Sequence, residues 1–361
     1  MAVVPNPGDK LHSDRTTYTV KEILNKGDAS IACKARDGGG TMAFLKLYKV
    51  PSKFKPWFRS YLEYEEKLNK RLQTDPQLCQ KSIYATDLFV GKLERDGSPV
   101  GGESVFQVFP FVESGITLAD VLANSTASAT MVWEQRLDIA MQLAEIVFLL
   151  HANKIVHSDL NPRSFLSVPS VGKRYDLSFS ICDMDFSFMT DRKAPWHDDP
   201  NQGYVGSLGY FSPEHLAGEK PIPASDVFSL AEILCELLCG KHPFASVFAE
   251  KEEYENRIQS GMTDFAGAAM PFADGKAHPK LEKALQRALS PDSAKRPSAA
   301  DLLAVLRDES TPSVANGHPT GIESVVEAIN RLEATVRRLA EVLEKSNTKG
   351  STKHGRRSQS R

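Results

Sequence analysis

The stretch Ile155-Val156-His157-Ser158-Asp159-Leu160-Asn161-Pro162-Arg163-Ser164-Phe165-Leu166, followed at 183–187 by Asp183-Met184-Asp185-Phe186-Ser187, decides how the rest of the chain is read. Apolar, strand-like residues bracket two acidic groups, Asp159 and Asp185. A short polar loop follows the first, and an aromatic follows the second. Two carboxylates framed in this way suit phosphoryl transfer. One orients a hydroxyl and accepts its proton, and the other holds the magnesium ions that neutralise charge on the phosphates.

Working outward, the stretch resembles the eukaryotic-type protein kinase family. His157 to Ser164 is similar to that family's H-R-D-L-K-P-x-N catalytic loop, and Asp185-Phe186-Ser187 to its D-F-G. Three positions depart from the pattern: Ser158 stands for Arg, Asn161 for Lys and Ser164 for Asn. The resemblance implies an α+β, two-lobed fold with an antiparallel β N-lobe and a mainly helical C-lobe. It implies ATP as cosubstrate, Mg2+ or Mn2+ as the metal, and a protein hydroxyl as acceptor. In those terms Asp159 is the catalytic base, Asp185 and Ser164 hold metal, and His157 and Phe186 are structural.

Composition agrees with an ordinary soluble chain. Of 361 residues, 41% are hydrophobic and 25% charged, enough to bury a sizeable core. A net charge of -2 gives no global pull toward nucleic acid or an anionic membrane. No apolar run approaches membrane-spanning length, and the first residues lack a basic-then-apolar leader pattern. The five cysteines form no C-x-x-C pair, so reduced thiols in a cytoplasmic protein are expected. Cys235 and Cys239 lie one helical turn apart and read as core.

Residues 1–17 are polar and expected to be loose. From Tyr18 the segments YTVKEILN, IACKARD and MAFLKLYKV alternate like strands of a meander, with Asp37-Gly38-Gly39-Gly40 as a hairpin turn. The first turn, Asn25-Lys26-Gly27-Asp28-Ala29-Ser30, reads by itself as a plain hairpin. By resemblance it is the Gly-rich loop over ATP phosphates, with Asn25, Gly27 and Ser30 against the nucleotide. Lys46 closes Ala43-Phe44-Leu45-Lys46, similar to V-A-I-K. It is either a solvent-facing strand lysine or, as the resemblance implies, the cation on the α- and β-phosphates. Its implied partner is Glu65, on a helix expected within Phe58 to Leu72; Glu66 is the alternative. Two further strands are expected, near Ile83–Val90 and Val105–Val112, joined by a Gly-rich polar connection. The second leads into a hinge where Phe109, Pro110 and Val112 edge the adenine pocket.

Beyond Gly115 the pattern turns helical: a short helix in TLADVLAN, then a long one in VWEQRLDIAMQLAEIVFLLHANK. Gly206 to Glu214 resembles G-T-x-x-Y-x-A-P-E, and Ser225-Asp226-Val227-Phe228-Ser229-Leu230 resembles the start of the family's buried central helix. Glu214 is expected to pair with Arg296 in a structural ion pair, and Asp226 to be structural as well. The domain is taken as 18–307, with an N-lobe to 112 and a C-lobe from 113.

Lys46, Asp159, Asp185 and a helix glutamate keep the charges that transfer needs. Asn161 removes a positive charge that faces the transferring phosphate; a preorganised donor there is worth about 3 kcal/mol. The sequence therefore reads as a serine/threonine kinase, with a nucleotide-binding pseudokinase acting as scaffold or regulator as the alternative. After a polar linker at 308–320, Ile322, Val325, Ile329, Leu332, Val336, Leu339 and Leu343 repeat at three- and four-residue intervals. A coiled-coil-like helix at 321–345 follows, which self-associates, recruits a partner or packs back on the domain. Residues 346–361 read as a basic, disordered tail.

Overall fold

The computed structural model describes residues 3–27, 30–49, 58–124, 128, 130–169, 177–185, 187–198, 206–248 and 250–310. Six strands make a closed barrel in the order β1-β2-β3-β4-β6-β5. They are β1 (Lys10–His12), β2 (Thr17–Lys26), β3 (Ser30–Arg36), β4 (Met42–Tyr48), β5 (Asp87–Arg95) and β6 (Ser98–Pro110). All neighbouring pairs are antiparallel. Leu11, Val20, Ile31, Cys33, Leu45 and Phe106 fill the interior.

Two expectations fail here. The N-terminal residues were read as loose, yet β1 closes the barrel by pairing with β2 and with β5 at Lys10 and Glu94. Leu11 is fully buried, and buried Asp9 accepts two hydrogen bonds from Arg95. One apolar residue and contacts to β5, Asp9 with Arg95 and His12 with Glu94, hold a strand too short to show periodicity. The Gly-rich connection at 91–104 is likewise not a loop. It forms the arms of a β5–β6 hairpin that turns at Asp96-Gly97, where both residues have positive φ. Half of its side chains are exposed and four positions are glycine, so no apolar alternation marked it.

Helix α1 (Phe58–Thr74) meets barrel residues Tyr48 and Val105 through Tyr61, while Tyr64, Leu68 and Leu72, spaced for one helical face, join the core of the helical part. A short α2 (Pro76–Gln80) follows it.

The helical part begins with α3 (Leu118–Ala123), entered from the short β7 (Ile116–Thr117), and continues with α4 (Trp133–Ala152). Later come α5 (Pro213–Leu216), α6 (Pro223–Cys239), α7 (Lys251–Ser260), α8 (Pro279–Ala288) and α9 (Ala299–Ser310). Thirteen residues of α6 are buried, as a helix apolar on all sides requires. It starts with proline in its first turn and stops at Gly240, whose φ of 69° ends the helix in the left-handed region. Helix α9 carries residues 308–310, the start of the expected linker; the coiled-coil-like stretch and the tail lie outside the described residues. Among the described residues no helix is long and apolar enough to cross a membrane.

Four small strands set the cleft. β9 (Phe165–Pro169) pairs with β10 (Leu177–Ile181), bringing Ile181 opposite Phe165. β8 (Ile155–Val156) pairs with β11 (Phe188–Met189), bringing Phe188 opposite Val156. The loop at 157–164 is therefore pinned at both ends, and His157 meets Cys182 and Ser187 of the facing segment.

Candidate active site

The loop after β8 is held from below. Asp226 accepts hydrogen bonds from the backbone N–H of His157 (2.8 Å) and Ser158 (2.9 Å), and lies 3.0 Å from His151 Nε2. Burial works against charge on Asp226, yet His151, His157 and the backbone donors keep its pKa below the usual value. Ser158 has φ of 70°, a left-handed conformation uncommon outside glycine, and its carbonyl accepts from His215 Nε2 at 2.7 Å. His157, fully buried, reaches the Cys182 carbonyl at 3.2 Å and ties the loop to the facing segment. His151, His157 and Asp226 thus hold the loop in place.

Asp159 projects from this frame. Burial pushes its carboxyl above the ordinary range, opposed by Ser207 and by nearby His157. Asn161 Nδ2 donates to the Asp159 carbonyl (3.1 Å) and to Ser207 Oγ (3.0 Å), joining this loop to the Gly206-Ser207 segment. Ser164 is turned inward. It is 1% exposed, and its hydroxyl donates to the Asp159 carbonyl at 3.1 Å and accepts from Asn161 N–H at 3.3 Å. The hydroxyl is too short to leave the turn it caps, so it does not face the cleft as a metal ligand would.

Across the cleft, alternation on β4 buries Ala43, Leu45 and Leu47 in the barrel and turns Phe44 and Lys46 the other way. Both line a cavity of about 520 Å³. Its walls include Asn25, Gly27, Ser30, Phe109, Pro110 and Val112, all the residues assigned to the nucleotide from the sequence except Glu65. Phe44 occupies the alanine position of V-A-I-K. Its ring meets Phe109 edge-on at 6.1 Å, because the β4–β6 register sets those two residues opposite.

Asp183 belongs to this cavity wall, and Asp185 does not. Asp183 follows β10 by two residues, has φ of 60°, and keeps half of its side chain open to water. Asp185 is 11% exposed and lies with Glu65, Gln107 and Met184 in a recess behind. Lys46 sits between the two acids, with Nζ 2.6 Å from Asp183 Oδ1 and 2.5 Å from Asp185 Oδ2. Burial opposes its charge, but the two carboxylates outweigh burial and raise its pKa.

The expected Lys46–Glu65 pair is not made. Among the described residues Glu65 receives its hydrogen bond from Gln107, at 3.1 Å, and its other oxygen has no partner. Burial, with a contribution from Asp185, pushes Glu65 up to about 8, so it is largely protonated at neutral pH. Tyr48 accounts for the exchange of partners. Its hydroxyl donates to Asp185 Oδ1 at 2.6 Å and lies 2.9 Å from Gln107 Oε1. One hydroxyl hydrogen serves one acceptor.

The helical part contains the expected Glu214–Arg296 pair. Arg296 is bidentate to Glu214 at 2.8 and 2.9 Å, and Ser225 adds a hydroxyl donor at 2.9 Å. A protein kinase domain model matches residues 18–305. The chain belongs to the protein kinase family. It is 32% identical over 165 residues to a calcium and calcium/calmodulin-dependent serine/threonine-protein kinase of Oryza sativa subsp. japonica, covering 46% of this chain and 29% of that protein. It is 30% identical over 169 residues to eukaryotic translation initiation factor 2-alpha kinase 3 of Rattus norvegicus, covering 46% of this chain and 14% of the relative. With receptor-like protein kinase 5 of Arabidopsis thaliana it shares 27% over 203 residues, covering 52% of this chain and 20% of the relative. The matched part of this kinase chain thus spans 14 to 29% of the length of these three relatives.

In this kinase-family chain the cavity is also lined by Asp183, which the sequence reading did not single out. The signal was available: Asp183 is the first acid after the apolar strand Leu177–Ile181, two residues ahead of the one chosen. Phe186, read as structural, lies outside the described residues.

Proposed function

We propose that this protein kinase domain transfers the γ-phosphoryl group of ATP to a serine or threonine hydroxyl of a protein. The observation that carries this reading is a cavity lined by Lys46 and Asp183, paired at 2.6 Å, and by Arg163 of the loop that holds Asp159. The strand-rich and helix-rich parts serve as two lobes on either side of the nucleotide. Magnesium asks for one or two carboxylates beside phosphate oxygens and water. Asp183 fits that demand, being half exposed at the cavity wall, and it takes the metal role first given to Asp185. Ser164 does not fit, because its hydroxyl is committed to the loop. When bound, the metal neutralises charge on the phosphates.

The chain's own residues do the rest. Lys46 supplies a fixed ammonium for the phosphate oxygens. Asp159, raised by burial, orients the acceptor hydroxyl and takes its proton. Asn161 and Ser207 fix the loop around it. A second hollow of about 350 Å³, lined by Asn161, Arg163, Ser207, Leu208, Tyr210 and Glu236, flanks that loop and suits an acceptor segment.

A nucleotide-binding scaffold is the second reading. What favours it is neutral Asn161 facing the site and the inward hydroxyl of Ser164. Incubation with labelled ATP and magnesium or manganese separates the two. Transfer to the chain itself or to a generic protein, abolished by Asp159→Asn, is the expected result. Nucleotide binding with no transfer under either metal would establish the scaffold.

A further inference from the structure

We infer that Asp185, and not the helix residue Glu65, positions Lys46 for phosphate, an assignment that rests on the nucleotide reading above. With Asp183 as the metal-facing acid, Asp185 falls at the third position of the trio, which the D-F-G motif fills with glycine and no side chain. Here that position carries a carboxylate, and it is built into the site. One oxygen meets Lys46 Nζ at 2.5 Å, and the other accepts from Tyr48 at 2.6 Å. Tyr48 is two residues from Lys46 on β4, so one rigid strand presents both the cation and the group that fixes its counter-ion. At the far end, β11 pairs with β8 and stops the segment from swinging out.

Glu65 is also released from its usual second task, tying α1 to the cleft. The helix is anchored otherwise. Tyr64 Oη accepts from the Met189 N–H at 2.6 Å, and Arg71 pairs with Asp191 at 2.7 Å. Trp196 packs against both Tyr61 and Tyr64. Glu65, bonded to Gln107, braces the Gln107–Tyr48 arm that steadies Asp185. When a metal engages Asp183, Lys46 keeps Asp185 as its fixed partner.

The test uses the full chain and needs no nucleotide for its first half. Urea unfolding midpoints are compared for Lys46→Met, Asp185→Asn, Glu65→Gln and the two double variants that contain Lys46→Met. Midpoint shifts for Lys46 and Asp185 should be clearly non-additive, and those for Lys46 and Glu65 should add. The reverse pattern overturns the assignment. In the second half, calorimetric titration with Mg-ATP should give a Kd at least tenfold weaker for Asp185→Asn, partly regained in Asp185→Glu. A larger loss from Glu65→Gln than from Asp185→Asn overturns the assignment even if Lys46→Met does not fold. A wild-type chain that binds no Mg-ATP yet shows the Lys46–Asp185 coupling supports the pairing and overturns only the proposed function.

Discussion

Glu214 and Arg296 meet in the helical part as a closed pair, one guanidinium on one carboxylate with every oxygen bonded, whereas Lys46 sits in the cleft between two carboxylates with a third acid left over. The first arrangement balances charge. Its members hang from short helices and a fixed turn, and Arg296 also donates to the carbonyls of Ser290 and Ala224. The second is acidic in excess. One ammonium faces Asp183 and Asp185, and Glu65 stays in the site only by keeping its proton. The Glu214–Arg296 pair resolves its charges within itself, while the cleft of a kinase domain leaves a deficit of positive charge that an incoming cation can fill.

Acidity should separate the two regions most strongly. His242, buried in the helical part, is pushed by burial down to about 3 from an ordinary 6.5. The unfolded chain takes up that proton as pH falls and the folded one does not. The stability His242 contributes is therefore complete above pH 6.5 and lost as pH falls toward 3, by up to about 5 kcal/mol. Glu65 in the cleft has the opposite sign. Its folded carboxyl titrates at about 8 against 4.5 unfolded, so the folded chain keeps a proton that the unfolded chain releases. Stability from this group falls as pH climbs from 4.5 to 8, by a comparable amount. Urea unfolding from pH 3 to 9 should show both limbs. His242→Gln should flatten the acid limb alone, and Glu65→Gln the alkaline limb alone. One variant flattening both would break the comparison.

Next in size is the closed pair. Arg296→Ala leaves buried Glu214 with the Ser225 hydroxyl but no cation and should lower stability by about 3–5 kcal/mol, read as a fall in Tm. A loss under 1 kcal/mol would mean that the helical part does not depend on its internal charge balance. Smaller again is a gain in the cleft. Asn161→Lys adds positive charge where phosphate charge develops and should raise kcat by up to about a hundredfold, the worth of one preorganised donor. An unchanged rate would show that the acidic excess is not what slows transfer. Smallest in energy is the stretch at 322–343. Sedimentation of the full chain against residues 1–307 should show a heavier full-length species, and equal monomeric masses would refute self-association.

The helical part was largely legible in the sequence, and the cleft only in outline. Buried helices carry periodicity over many residues, so α4 and α6 could be read directly, and the Glu214–Arg296 pairing was implied by the family resemblance of the motifs that carry them. The catalytic loop was legible for the same reason. The misses share a cause: the information was shorter than the pattern used to find it. β1 is three residues long, and the β5–β6 hairpin has exposed faces and glycines in place of alternation. Asp183 and Asp185 are separated by one methionine. A motif match distinguishes them by the aromatic that follows, while the structure distinguishes them by which one β10 delivers to the cavity wall. The partner of Lys46 was illegible from motifs alone, because it depends on Tyr48 and Gln107, which belong to no catalytic motif and meet only through the sheet.

A crystal structure of the chain with magnesium and a non-hydrolysable ATP analogue tests the central claim most directly. Asp183 should contact the metal, Lys46 should touch phosphate while keeping Asp185 within hydrogen-bond distance, and Glu65 should remain on Gln107. Metal on Asp185 with Lys46 turned onto Glu65 would contradict the account.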